Sequence, residues 1–261
     1  MRLEVSLRST VNMPYDRSYH HALRSALWDC LRPEYSAIHE SNEPVGLSFS
    51  NIFPWGELTA GDRRKLRIAS PDRAVLDTLA EALMTTDRLT VGDMEFDVDD
   101  ISVHAPDVGE PGSRGYLETA TGVVCRLSPS LLSDHDLTAT RTAADDASPT
   151  FWRPAHGLEP FRAVLAQSLT QSHQRFGATE TYDIPITGDI FDSFEPIKDG
   201  VTYALPFEPT AGVELTYILS KWRLGYRVRD DTHRYLLNLA LDCGIGQRRE
   251  HGFGFVNTYS E

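Results

Sequence analysis

Leu3, Val5 and Leu7 alternate with Glu4, Ser6 and Arg8, and this alternation predicts a half-buried strand at the start of the chain. After a turn at Asn12-Met13-Pro14, the apolar residues Ala22, Leu23, Ala26, Leu27 and Leu31 recur at helical spacing. They predict a helix over 18–31 that Pro33 ends, with a polar loop from Glu34 to Pro44. Val45–Phe53 and Lys65–Ser70 read as the next two strands. Ser70 is placed to cap a second helix, with Pro71 at its first position and Val75, Leu76, Leu79 and Leu83 on its buried face. Leu89–His104 reads as a hairpin-like pair of strands. The order strand-helix-strand-strand-helix-strand is that of a ferredoxin-like or RRM-like unit.

Asp107–Gly115, rich in Gly, Pro and polar residues, reads as a linker or loop. A new strand is expected over Tyr116–Leu127, an exposed insertion over Thr138–Thr150, and an amphipathic helix over Pro154–Phe176. Strands follow around Ile184, at Val201–Phe207, at Val213–Leu219 and at Trp222–Val228. Asp230 or Asp231 caps a last helix carrying Tyr235, Leu236, Leu239, Ala240 and Cys243, and a final strand runs over Phe253–Tyr259. The expected fold class is therefore α+β, with two tandem ferredoxin-like βαββαβ domains at 1–112 and 113–261, the second being a decorated copy closed by a glycine-rich loop.

Composition changes the picture in one respect. Asp and Glu number 38 against 25 Lys and Arg, a net charge of −13, and Lys65, Lys198 and Lys221 are the only lysines. Acidic pairs such as Asp99-Asp100, Asp145-Asp146 and Asp230-Asp231, with so little lysine, point to a protein of concentrated salt, where surface repulsion is screened. Acidity ordinarily argues against nucleic acid. In high salt, however, counterion release contributes little, and arginine forks and stacking take over recognition. Cys30, Cys125 and Cys243 are scattered and odd in number, so neither a disulfide framework nor a zinc cluster is expected. No apolar signal run or membrane-length stretch is present, so a cytoplasmic protein with no membrane partner is expected.

Gly244-Ile245-Gly246 and Gly252-Phe253-Gly254 flank a polar stretch containing Arg248, Arg249 and His251. Such glycines admit positive φ and close approach, and successive amides can cradle phosphate oxygens. The loop follows a helix and precedes a strand, the reverse of a dinucleotide-binding loop, and it lacks the Gly-Lys-Ser/Thr of a P-loop.

These residues resemble the C-terminal signature of the repeat-associated RNA-binding superfamily of CRISPR proteins. With two expected RRM-like domains, the chain resembles the pre-crRNA-processing endoribonucleases within it, coarsely along its whole length and sharply in 244–255. The resemblance implies a metal-independent, cofactor-free enzyme that cuts CRISPR repeat RNA into guides with 2′,3′-cyclic phosphate and 5′-hydroxyl ends. It implies that Gly244, Gly246, Arg248, Arg249, His251, Gly252 and Gly254 bind RNA. It further implies other subunits of a CRISPR interference complex as partners, with the enzyme itself a monomer or homodimer. A non-catalytic RNA-binding scaffold subunit of such a complex would carry the same loop and is the alternative.

Such chemistry needs an acid or base near neutrality, which suits histidine. Many family members carry a catalytic His between the first helix and second strand, where His39 lies here, and Tyr35 stands one helical turn before it as a candidate to orient or donate. A lysine that some members place downstream of that histidine is missing before the second strand. His20 and His21 read as surface residues at a helix start. Ile52–Trp55 and Phe151-Trp152 read as core or edge packing, with base stacking the alternative use.

Overall fold

The computed structural model describes residues 1–16, 19–41, 45–86, 88–137, 150–177, 190–197, 201–210 and 213–260, and the side chains at 36–41, 207–210 and 213–214 fall outside that description. In the first unit β1 is Arg2–Ser9, α1 His20–Ser41, β2 Ser48–Phe49, β3 Arg63–Ala69, α2 Arg73–Thr85, β4 Leu89–Val91 and β5 Met94–His104. They build one antiparallel sheet in the order β2-β3-β1-β5-β4. This is the ferredoxin-like order, with β4 added at one edge. Leu3, Val5 and Leu7 of β1 pack against Leu23, Leu27 and Leu31 of α1 and Val75, Leu76, Leu79 and Leu83 of α2. Each such side chain contributes about 1.5–3 kcal/mol on burial.

Three expectations for this unit are corrected. The first helix does not stop at Pro33 but continues past a kink to Ser41, so Tyr35 sits at the kink and His39 on the helical backbone beyond it, neither in a loop. Proline removes one intrahelical donor, and the break is absorbed two residues later, where Tyr35 takes φ −113° and ψ 24°. The second strand shrinks to Ser48–Phe49 with a further bridge from Phe53 to Lys65. Its ladder breaks because Ser50 Oγ accepts the Arg67 N–H at 2.9 Å, the place of a main-chain acceptor. Finally, Asp72 and not Ser70 caps α2, its Oδ1 accepting the Ala74 N–H at 2.9 Å, while Ser70 Oγ accepts the Asp72 N–H.

In the second unit β6 is Arg114–Thr119, β7 Val123–Val124, β8 Arg126–Leu127, α3 Pro129–Asp134, β9 Thr150–Phe151, α4 Glu159–Phe176 and β10 Ser193–Pro196. β11 Thr202–Thr210, β12 Val213–Ser220, β13 Trp222–Arg227, α5 Asp231–Cys243 and β14 Val256–Ser260 complete it. The main sheet has the order β10-β13-β6-β14. Counting β6, β10, β13 and β14 as first to fourth, this repeats the order of the first unit. The β11–β12 hairpin is inserted between the second and third of these strands and pairs with β7. The first unit carries its β2–β3 connection in the same slot.

The strand expected over Tyr116–Leu127 divides into β6, β7 and β8, in three separate sheets. Gly122 lies at the first break, packed so tightly that a Cβ would come within 2.3 Å of the Tyr203 hydroxyl. The expected helix over Pro154–Phe176 is a 3₁₀ turn at Pro154–His156, ended by Gly157 at φ 72°, followed by α4. The final strand begins at Val256, because Phe253–Phe255 belong to the preceding loop. Of the insertion expected over Thr138–Thr150, positions 138–149 lie outside the described residues and Thr150 opens β9, and the strand expected around Ile184 also lies outside them. Among the described residues no helix is long and apolar enough to cross a membrane.

Arg2 joins the units. Its guanidinium, 4% exposed, donates to the Leu241 and Val256 carbonyls and to Asn257 Oδ1, and lies 4.5 Å from the centroid of the Phe255 ring. Burial pulls its pKa down to about 10, partly offset by Asp242.

Candidate nucleic-acid interface

The loop from Gly244 to Phe255 runs between the two units. Gly244, at φ 74°, ends α5, and its N–H donates to the Ala240 carbonyl. The two Gly-x-Gly limbs then lie back to back, with Ile245 N–H donating to the Gly254 carbonyl at 2.9 Å. A Cβ on Gly254 would stand 1.9 Å from the Ile245 oxygen, and one on Gly246 would stand 2.6 Å from a Val123 methyl. Gly252 abuts Phe49 of the first unit, where a Cβ would come within 2.4 Å of the ring.

The N–H groups at 245, 246, 247, 252, 254 and 255 donate to protein acceptors, among them Ser168 Oγ, the Val124 and Gly122 carbonyls and Thr121 Oγ1. Gln247 adds two side-chain bonds to the Arg126 backbone. In this conformation the glycines serve close packing of the loop on its own protein, and these amides are already engaged. The loop turns side chains outward instead. Arg248 is exposed and held in the left-handed region at φ 58°.

The remaining side chains of the turn are drawn inward. Arg249 donates to Ser172 Oγ on α4, and burial lowers its pKa. Glu250 is pushed up by burial, with Arg24 and the Gly46 and Val45 amides opposing. His251 is pushed down to about 3, first by burial and then by Arg24, Arg248, His21 and His20. His20 is a correction: expected at the surface, it is 6% exposed and stacks between Tyr19 and Phe253, each ring centroid 5.0 Å away. Burial holds its pKa down at about 4. Both His20 and His251 are therefore neutral imidazoles at neutral pH.

Two clefts open on either side of the loop. One, about 670 Å³, is lined by Tyr15, Tyr19, His20, Asn51, Trp55, Tyr203 and Phe253. Trp55 is 58% exposed at this cleft, with Lys221 Nζ 5.2 Å from its ring centroid. Of the aromatics weighed for stacking, Trp55 is thus exposed at the cleft, whereas Trp152 is core. The other cleft, about 630 Å³, is lined by Gln171, Gln174, Arg175, Arg248, Arg249 and His251. Asn51, Tyr203 and Arg24 were not identified from sequence. Trp55, set between Pro54 and Gly56, carried the one local signal, an aromatic flanked by turn residues.

Tyr35 lies elsewhere. It packs on the first core and its hydroxyl engages Thr78 of α2, while burial, Asp72 and Glu34 hold its pKa up. The His39 side chain lies outside the described residues. Its backbone stands up to about 28 Å further along α1 than that of His20, at about 1.5 Å per residue. The structure therefore brings Gly244, Gly246, Arg248, Arg249, His251, Gly252 and Gly254 together and leaves Tyr35 and the His39 backbone near the other end of α1.

Residues 117–258 match the family described as CRISPR associated protein Cas6, C-terminal. A CRISPR-associated endoribonuclease Cas6 from Haloferax mediterranei is 46% identical over 98% of this chain and 93% of its own. A second relative so named, from Methanocaldococcus jannaschii, is 22% identical over 98% of this chain and 99% of its own. Among solved structures, a Cas6-related protein of Pyrococcus furiosus superposes with a TM-score of 0.69 at 18% identity, covering 99% of this chain and 98% of that one. Another, a CRISPR associated protein Cas6, gives 0.68 at 18% identity with 99% of both chains covered. The acid-rich, lysine-poor composition agrees with the Haloferax relative.

Proposed function

Since the chain belongs to the Cas6 family of CRISPR-associated endoribonucleases, we propose that it cuts CRISPR repeat transcripts into guide RNAs by attack of a ribose 2′-hydroxyl on the adjacent phosphate. The bond from phosphorus to the 5′-oxygen breaks, leaving a 2′,3′-cyclic phosphate and a 5′-hydroxyl, and no metal takes part. The observation that carries this reading is the 46% identity to an endoribonuclease of the family along nearly the whole chain.

His39 serves as the acid or base of this step, with Tyr35 beside it, and Arg248 and its neighbours hold the RNA at the glycine loop. Supporting His39 is the setting of two histidines near the loop: His20 is buried and His251 half-buried, and burial holds both from protonation. A catalyst near one end of α1 and a loop near the other require the RNA to follow the protein over much of that helix. We assign 1–112 and 113–261 to the two domains, place the protein in the cytoplasm as a monomer or homodimer, and expect it to join other subunits of an interference complex.

The test is cleavage of repeat RNA from the same genome in about 2 M KCl with EDTA, salt at which surface charge is screened. Wild type should cut once per repeat, and His39→Ala should bind but cut far more slowly. Binding without cutting by wild type would overturn the proposal in favour of a scaffold role.

A further inference from the structure

Val45, Gly46 and Leu47 lead from the end of α1 into β2 and lie on the seam between the units. Val45 and Leu47 are buried in the first core. Gly46 between them has φ 71°, and a Cβ there would come within 2.9 Å of the Phe176 ring at the end of α4 and of Pro71 before α2. Glycine alone takes that φ without cost and leaves room for the ring. The Glu250 carboxylate of the glycine loop faces the Val45 and Gly46 N–H groups and the Arg24 guanidinium. The seam continues along β2, where Ser48 Oγ donates to the Asp242 carbonyl at 3.2 Å and the Phe49 ring lies against Gly252.

Among the described residues, Phe176 belongs to neither helix–sheet core, yet its ring closes on Gly46. Glu250 is an acid beside Arg248 and Arg249, where it repels the phosphates that those arginines attract. Neither placement serves the core of the second unit or its hold on RNA, and both converge on one turn of the first unit. Val45 follows Ser41, the last residue of α1, so closely that even an extended chain spans at most about 14 Å between them. Holding Val45 thus confines the end of α1, and with it His39. Gly46, Phe176, Glu250 and Arg248 border one cleft, so the turn that leads back to His39 and the exposed arginine of the loop face the same space.

We propose that Phe176 and Glu250 are positioning residues for RNA cleavage, which clamp the Val45–Gly46 turn to the second unit and so set the His39 end of α1 relative to RNA held at the glycine loop. The inference rests on the reading that His39 is the acid or base of the cut. A reacting group displaced by about 1 Å loses on the order of a hundredfold in rate. Contacts that hold the RNA elsewhere are untouched by such a shift, so the clamp acts on the cut and not on affinity.

The experiment measures single-turnover cleavage of repeat RNA at saturating enzyme, in about 2 M KCl with EDTA, beside anisotropy binding and thermal melts. Wild type is compared with Phe176→Ala, Phe176→Leu, Glu250→Ala and Glu250→Gln, each also made in a His39→Ala background. Phe176→Ala and Glu250→Ala should stay folded at the assay temperature and cut about tenfold more slowly or worse, with affinity within about twofold of wild type. Leucine refills the contact on Gly46 and glutamine keeps an acceptor for its amide, so both should recover most of the rate. In the His39→Ala background the same substitutions should cost nothing further, because residues that act as a unit are not additive. Unchanged rates, losses that add to that of His39→Ala, or losses matched by a fall in affinity would overturn the clamp. If His39→Ala is slow and the clamp variants cut as wild type does, the clamp alone fails. If wild type never cuts, or His39→Ala cuts as wild type does, the reading of His39 fails and takes the clamp with it.

Discussion

Replacing Arg2 by methionine keeps most of the side-chain volume but strips the donors from two buried carbonyls, Leu241 and Val256, and from Asn257. Each stranded acceptor costs about 1–3 kcal/mol. Removal of one partner from a buried charged cluster typically costs 3–5 kcal/mol. Some of this returns, because the methionine chain no longer carries a charge that burial disfavours, the same burial that lowers the Arg2 pKa. The net expectation is a loss of about 3 kcal/mol, or a fall in melting temperature of about 6–12 °C for a chain of this size. Urea unfolding of wild type, Arg2→Met and Arg2→Lys measures it, with lysine recovering only part because it has no planar fork. Arg8→Ala is the control, since that arginine pairs with Asp99 at the surface and should leave the midpoint where it was. An Arg2→Met midpoint equal to wild type would refute the claim that this guanidinium ties the two units together.

Gly254→Ala places a Cβ against the Ile245 oxygen at φ 69° and should cost about 3 kcal/mol or more in a thermal melt; Gly157→Ala, at φ 72° with open space around it, should cost about 1 kcal/mol. Arg248→Ala should weaken repeat binding several-fold with an unchanged melt, whereas Arg249→Ala should lower the melt, since Arg249 is bonded to Ser172 inside the protein. His20 and His251 sit at about 4 and about 3, below the 6.5 or so of an unfolded chain, so the unfolded state binds protons first. Their contribution is intact above about pH 6.5 and drains as pH falls toward 4, by about 1.4 kcal/mol per unit for each histidine; melts at about pH 7.5 and about pH 5 should show it, and His20→Phe should reduce the difference by about half, leaving the share of His251.

Short-range order was readable because it obeys local periodicity. The buried face of α2, the Asp230 cap of α5 and both ferredoxin-like units follow from spacing and caps. Pro33 misled, because a single lost donor can be absorbed by a kink when the helix has a core to pack on. The glycine loop was found by its pattern, but the work of its glycines was not: their close neighbours are Val123, Phe49 and each other's backbone, which no spacing rule relates. The same holds for Arg2, whose partners lie 239–255 residues away, and for His20, whose burial depends on Phe253.

The two units share a strand order, and in both the connection between the second and third strands reaches the same aromatic cleft, with Trp55 from one and Tyr203 from the other. The tips of these connections bear no part of either helix–sheet core. Duplication has thus given the protein two independently variable walls around one space. Either wall can change in length or in residue while both sheets stay as they are. Exchanging the Trp55 and Tyr203 segments with those of a relative would therefore reshape the cleft without exchanging the fold.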